Sequence, residues 1–314
     1  MRKFYGPAVL VLLAIGIAVL LAALMHGHTV ALFDPQGIVA RKQRNLIILT
    51  ALLSILVVVP VFTLTAIICW KYRADNPKAD YRPDWNHSSR LEFIWWSIPC
   101  AIILTLSIVT WRSAHDLDPS KPLVSKTAPL TVQVVALDWK WLFIYPKQHI
   151  ATVNYLEIPA ATPINFQITS DAPMNSFWIP QLGGQIYAMA GMSTQLHLMA
   201  DHPGTYRGSS ANISGDGFAG MHFPAVAVSA PDFSTWVTGV QHGSGRLGAS
   251  EYTALSHPSK NNPATYYAST SANLYATIVM KYMMPIPGLT GVGLGDSQPN
   301  ISAQPATSGA GGDI

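Results

Sequence analysis

The sequence predicts a membrane α plus all-β protein. A transmembrane helical hairpin, with a signal or anchor helix before it, leads into an antiparallel β-sandwich with a short helical C-terminal extension. Two observations carry this. Apolar residues make up 49% of the 314 residues against 11% charged, well below the roughly 25% charge of soluble domains, and they concentrate in the first third. From residue 130 onward, short β-branched and aromatic runs alternate with Pro, Gly, Asn and Asp, the texture of many short strands.

In chain order, residues 1–28 form the first unit, where Arg2 and Lys3 precede an apolar run at 8–24. Its form is that of a secretory signal or a short N-terminal anchor helix. The segment lacks both a clean small-x-small cleavage site and a cysteine for lipidation, so cleavage and retention both stay open. The hairpin spans residues 45–112. As a helix, residues 46–70 run roughly 37 Å, enough for a hydrocarbon core of about 30 Å; Pro60 should kink this helix without breaking it. The second span, 91–111, carries Trp95, Trp96 and Trp111 near its ends as interfacial anchors. The loop between them, 71–90, holds Lys71, Arg73, Lys78, Arg82 and Arg90. Positive charge marks the cytoplasmic side, although Arg41, Lys42 and Arg44 weaken the bias. Two crossings then leave everything after Arg112 outside.

A Pro/Ser/Lys linker at 115–129 leads into the sandwich, 128–232. Strands are expected at 130–137, 141–145, 152–158, 164–169, 175–179, 194–199, 204–208 and 225–229. The extension, 233–284, should hold helices near 233–240, 249–255 and 274–282. Residues 285–314 are Gly, Ser, Pro, Ala and Gln with almost no charge, a composition expected to be disordered.

Several function classes drop out. The net charge of +3, with no Lys/Arg block, argues against nucleic acid. Cys69 and Cys100 lie in apolar segments and read as buried small side chains. Gly291-Val-Gly-Leu-Gly295 has neither the strand before it nor the helix after it that a phosphate loop needs. Ser210 and Ser214 have no paired His and acid for hydrolysis, so no catalytic residue is assigned. His197, His202 and His222 lack the spacing of a metal site, and His197 reads as a structural strand residue. Glu92 stands at the start of the second span. There a carboxylate serves either as the N3 partner in a capping box, Ser89-Arg-Leu-Glu92, or as part of an ion path.

Taken together, five motifs carry a family resemblance. YRPDWNHSSRLEFIWWSIP (81–99) resembles the start of the second membrane helix of subunit II of haem–copper oxidases, and DWKW (138–141) resembles its aromatic region. MNSFWIPQLG (174–183), with QIYAMAGM (185–192) and PGTY (203–206), is similar to its cupredoxin domain. The likeness is to the quinol-oxidising branch, the cytochrome bo-type ubiquinol oxidases, across roughly residues 32–285. The resemblance implies a cupredoxin-like sandwich outside the bacterial inner membrane, in the periplasm. It further implies haems, copper and ubiquinol at a larger partner, subunit I, alongside further small membrane subunits and lipid.

In the branch that oxidises cytochrome c, subunit II holds two coppers through two His, two bridging Cys, a Met and a carbonyl. Matching that loop to this chain puts Asn175 and Phe218 at the histidine positions, Ser210 and Ser214 at the thiolates, Asn212 at the carbonyl donor, and Met221 at the Met. A serine hydroxyl is a hard donor that does not ionise near neutral pH, whereas copper electron-transfer sites rest on soft thiolate. The chain is therefore expected to carry no metal or other cofactor and to have no cytochrome c partner. The resemblance also implies that Glu92 feeds a proton path in subunit I. In cytochrome c-using relatives, an aromatic in the region of Trp139 and Trp141 helps electrons enter; without copper behind it, packing or subunit contact is the expected role here.

Overall fold

The computed structural model describes residues 30–283 except 81–83 and 85, together with Gly16, Val19 and Leu20. The signal-or-anchor segment and the Gly/Ser-rich tail therefore lie outside the described residues.

Helix α1 (Ile38–Lys71, 34 residues) and helix α2 (Ser89–Asp116, 28 residues) both outrun the predicted spans. At about 1.5 Å per residue they reach roughly 51 and 42 Å, more than the apolar core requires. The added turns are polar. In α1 they precede the apolar run and begin after Gly37, whose extended backbone stops the helix. Within the apolar stretches, hydroxyls donate to carbonyls four residues back: Ser54 to Thr50 (2.8 Å), Thr65 to Val61 (2.7 Å), Ser97 to Phe93 (2.6 Å) and Thr105 to Ala101 (2.9 Å). These four hydroxyls are thus satisfied inside their own helices, as a lipid environment demands. Apolar side chains such as Phe62 (71% exposed) and Trp96 (68%) point away from the rest of the chain.

The sandwich begins with β1 (Leu130–Leu137), β2 (Lys140–Tyr145), β3 (Ile150–Val153), β4 (Leu156–Pro159) and β5 (Ile164–Ser170). It continues with β6 (Asn175–Trp178), β7 (Gln185–Ala188), β8 (Thr194–Leu198), β9 (Gly204–Ser210) and β10 (His222–Val228). The extension adds α3 (Ala230–Gln241), β11 (Arg246–Leu247), α4 (Ala249–Ser256), β12 (Thr265–Tyr267), β13 (Ser269–Thr270) and α5 (Leu274–Lys281). One sheet has six strands in the order β12-β3-β2-β1-β5-β8, the other five in the order β4-β10-β9-β6-β7.

Three expectations are corrected. The strand expected at 152–158 is two strands in different sheets. Asn154 takes a left-handed backbone (φ 51°) between them, and its amide and side-chain oxygen pair with Trp141 at 2.8 Å each. The chain therefore crosses from one sheet to the other at this point and returns as β5 beside β1. That crossing makes β1–β5 parallel, as β4–β10 also is, in a sandwich expected to be antiparallel. The extension, expected to be helical, also contributes β12 to the edge of the six-stranded sheet.

Every residue of β2 is buried because both faces are covered. Trp141, Phe143 and Tyr145 point into the core between the sheets, with Phe166, Phe177 and Phe223. Leu142 and Ile144 point outward into a second core, where Leu247, Leu274, Tyr275 and Ile278 of the extension cover them. The extension is thus a third layer.

A built joint ties α1 to the sandwich. Gln36 N–H donates to Gln181 O (2.7 Å), Ala40 N–H to Leu182 O (3.1 Å) and Asp201 N–H to Gln36 O (2.8 Å), while Arg41 pairs with Asp201. The linker after α2 meets the same end of the domain, where His197 N–H and Pro119 O lie 3.1 Å apart. Both helix ends that face the sandwich are therefore on one side, as a hairpin requires. The backbones close tightly here: a Cβ on Gly183 would stand 2.5 Å from Ala40 N, and Gly183 has φ +84°. Gly183→Ala is expected to destabilise the full chain by about 1–3 kcal/mol through strain and overlap, read as a lowered Tm. An unchanged Tm would mean that the joint is looser than described.

Candidate functional site

Two places draw the residues singled out from sequence: the loop 210–221 at the pole of the sandwich away from the membrane joint, and the start of α2.

The loop leaves β9 at Ser210 and regains β10 at His222, after one 3-10 turn at Phe218–Gly220. Five residues expected in this neighbourhood are gathered by hydrogen bonds. The Ser210 hydroxyl donates to Asn175 Oδ1 (3.0 Å), and Asn175 Nδ2 donates to Pro173 O (2.8 Å). Asn212 Nδ2 donates to Met174 O (2.8 Å), and Trp139 Nε1 donates to Ser214 O (3.2 Å). Met221 closes the loop through its backbone, accepting from Ser210 N–H (3.1 Å) and donating to Phe218 O (3.0 Å). Asn175 and Met221 are each 1% exposed. Neutral amides and hydroxyls thus form the loop's internal bonds. Each such bond contributes about 1 kcal/mol, but leaving a buried partner unmet costs more.

Phe218 contributes its backbone to this closure. Its N–H donates to Gly215 O (3.1 Å). The three histidines weighed from sequence do not converge, and among the described residues no group of three or more His, Cys, Asp or Glu is placed to hold a metal ion. His197 pairs through Nδ1 with Pro119 O at 3.1 Å, a structural contact. Both cysteines sit exposed on the membrane helices rather than in the sandwich.

The aromatic pair splits. Trp141 is fully buried, edge-on to Phe177 (5.4 Å) and Phe223 (6.0 Å), and is a core residue. Trp139 is half-buried at the β1–β2 tip. Loop 215–217 lies against its ring, so close that a Cβ on Gly217 would stand 2.3 Å from Trp139 Cγ.

At the other end of the hairpin, the expected capping box is absent. Helix α2 is capped by Ser88, without a side-chain bond, so Glu92 lies one position beyond N3. Its carboxylate instead meets His87 Nδ1 at 2.6 Å, with side-chain exposures of 64% for His87 and 53% for Glu92. The other ring nitrogen of His87 lies 3.1 Å from Ser89 Oγ. A water-accessible carboxylate beside an imidazole, at a membrane helix end, can exchange protons with solvent.

Sequence reasoning did not single out Asp171. Its side chain is 0% exposed and accepts from Tyr252 (2.6 Å), Lys281 (2.7 Å) and Tyr282. Burial, and then hydrogen bonding to Asp171, hold the Tyr252 hydroxyl well above its usual range. A buried carboxylate is tolerated only with such partners, and all three come from the extension. No local pattern marks it, because the partners lie 81–111 residues away.

The periplasmic domain of cytochrome c oxidase subunit II, as a family model, matches residues 144–229, and the COX aromatic-rich motif matches 241–285. The second match takes in Tyr252 and Tyr282 together with Tyr275, which bonds to Ser193 (2.8 Å). Cytochrome bo(3) ubiquinol oxidase subunit 2 of Pseudomonas aeruginosa is 52% identical over 261 residues, 83% of this chain and 79% of that protein. The protein of the same name from Pseudomonas putida is 52% identical over 259 residues, 82% of each chain. Ubiquinol oxidase subunit 2 of Acetobacter aceti is 49% identical over 263 residues, 83% of this chain and 85% of that one.

Asn175→Ala should cost about 1–3 kcal/mol by removing its buried bonds to the Ser210 hydroxyl and to Pro173 O, while a chelator leaves the Tm of the full chain unchanged. A chelator-induced fall in Tm would show a metal contribution.

Proposed function

This chain belongs to the ubiquinol oxidase subunit 2 family, and we propose that it is subunit II of a proton-translocating terminal ubiquinol oxidase. The complex couples oxidation of ubiquinol to reduction of O₂ to water in a bacterial inner membrane, with the sandwich in the periplasm. The haems and copper belong to subunit I, which this chain docks beside further small subunits and lipid. What carries the reading is the high identity to proteins so named over most of both chains.

The donor chemistry supports the division of labour. Ser210, Ser214, Asn175, Asn212 and Phe218 stand where a dinuclear copper centre would need thiolates, imidazoles and a carbonyl. Only Met221 retains the ligand type. Copper-borne electron transfer from cytochrome c is the disfavoured alternative, because hard neutral oxygens cannot bridge copper ions as thiolates do. A free-standing anchored domain is the other alternative. It leaves the apolar surface of both helices to lipid alone, and co-purification of a haem-bearing multi-span partner in mild detergent would exclude it.

Glu92 is the proposed proton inlet. One carboxylate oxygen meets His87, and the half-exposed group is open to water, so protons can be collected at the helix start and passed to the partner. Glu92→Ala in the assembled oxidase is expected to slow ubiquinol-driven O₂ uptake by about tenfold or more, the scale on which positioned proton-transfer groups act. Haem content should stay unchanged. Turnover at the parental rate would reduce Glu92 to a first-turn carboxylate stabilising the helix dipole.

A further inference from the structure

The tip of the β1–β2 hairpin grips the C-terminal extension with three consecutive residues. Trp139, held in a left-handed backbone (φ 61°) that bulky residues avoid, presents its ring to Lys260, whose Nζ lies 5.4 Å from the ring centroid. Lys140 is 1% exposed; its ammonium donates to His257 O (2.7 Å) and to Ser259 Oγ. Burial lowers the affinity of this amine for its proton. The Trp141 N–H is held by Asn154 Oδ1, while Asn154 Nδ2 donates to Asn262 O (3.0 Å).

The gripped segment, 257–262, has no helix or strand of its own. Besides these grips, it is stiffened by reciprocal bonds between Ser259 and Asn262, both 3.0 Å. On the loop side, Lys260 Nζ lies 3.5 Å from the 85%-exposed Asp216 carboxylate, and a Cβ on Gly220 would stand 2.4 Å from Asn261 Oδ1. An aromatic ring beside an exposed carboxylate is a seat for a lysine or arginine. The chain fills that seat with its own Lys260.

We infer that Trp139, Lys140 and Asn154 form a receptor for residues 257–262, and that this segment is a built-in occupant closing the pole of the sandwich to basic partner proteins. Lys140 is the latch. The hydrogen-bond acceptors of this buried ammonium lie on the extension, while Asp138 is a nearby charge on its own hairpin, so lifting the extension strips those bonds from it. The inference rests on the ubiquinol oxidase reading in one respect only: the partner that closure would exclude is a soluble basic electron carrier.

Hydrogen exchange of the intact oxidase in mild detergent tests the latch. Lys140→Met keeps the stem volume and removes the ammonium. Amides of 257–262 should then exchange at least about tenfold faster, while β1, β2 and β5 stay protected. Ubiquinol turnover should be unchanged. Equal exchange in the variant and the parent would overturn the latch. If Lys140→Met does not fold, Lys260→Ala, at a side chain 49% exposed, should still speed exchange at 259–261, and no change there would equally overturn it. Closure has its own readout: a basic c-type cytochrome, offered at low ionic strength, should bind the opened variant and not the parent. The same binding to both, nil included, would overturn closure. Failure of the oxidase reading would show separately, as absent ubiquinol turnover in the parent complex.

Discussion

A serine hydroxyl stays protonated at neutral pH, and the loop between Ser210 and Met221 is organised around that constraint. Where a thiolate pair would draw two metal ions into the pole of a cupredoxin-like sandwich, Ser210 donates to Asn175 and Asn212 reaches back to Met174. These bonds are directional and individually modest, and they need their partners present because the site is buried. Closure of the loop therefore depends on neutral complementarity. Both cysteines lie on the membrane helices, so this domain brings no thiolate to the loop, and the proposed function draws on that donor chemistry together with family membership.

The rest of the chain is fastened around the same pole and its opposite end. At the membrane end, Gly37 and Gly183 let the backbone of α1 press against the sandwich, where a Cβ on Gly37 would stand 2.5 Å from Met199 O. The domain is thus seated directly against the start of α1. On the outer face of the six-stranded sheet, the extension supplies a third layer. Its attachment uses two buried charges of opposite sign: Asp171, met by Tyr252, Tyr282 and Lys281, and Lys140, met by His257 and Ser259. Each would be costly if exposed to an apolar surface alone. They specify where the extension sits as much as how firmly it is held. The family matches follow this division, with one model on the sandwich and a second on the extension.

Much of this was legible in the sequence, because long apolar runs and short β-branched runs are one-dimensional signals. The membrane helices and seven of the sandwich strands emerge near their predicted places. What escaped was set by distant partners. The single expected strand at 152–158 has continuous β-character, yet the left-handed Asn154 sends its halves into different sheets. β7 was missed since Gln185-Ile-Tyr-Ala188 is short and flanked by glycines and small residues. The parallel β1–β5 pair depends on a crossover that no local pattern encodes. At the site, the loop residues were found through the resemblance, whereas Asp171 and His87 were not. A lone Asp before a turn and a His five residues ahead of a Glu look like ordinary surface residues until folding buries one and pairs the other.

Copper content of the purified full-length chain tests the central claim most directly. After loading with copper salt under reducing conditions and exhaustive dialysis, the account predicts no copper retained by residues 175–221. Stoichiometric copper that survives dialysis and is lost on Met221→Leu would contradict it.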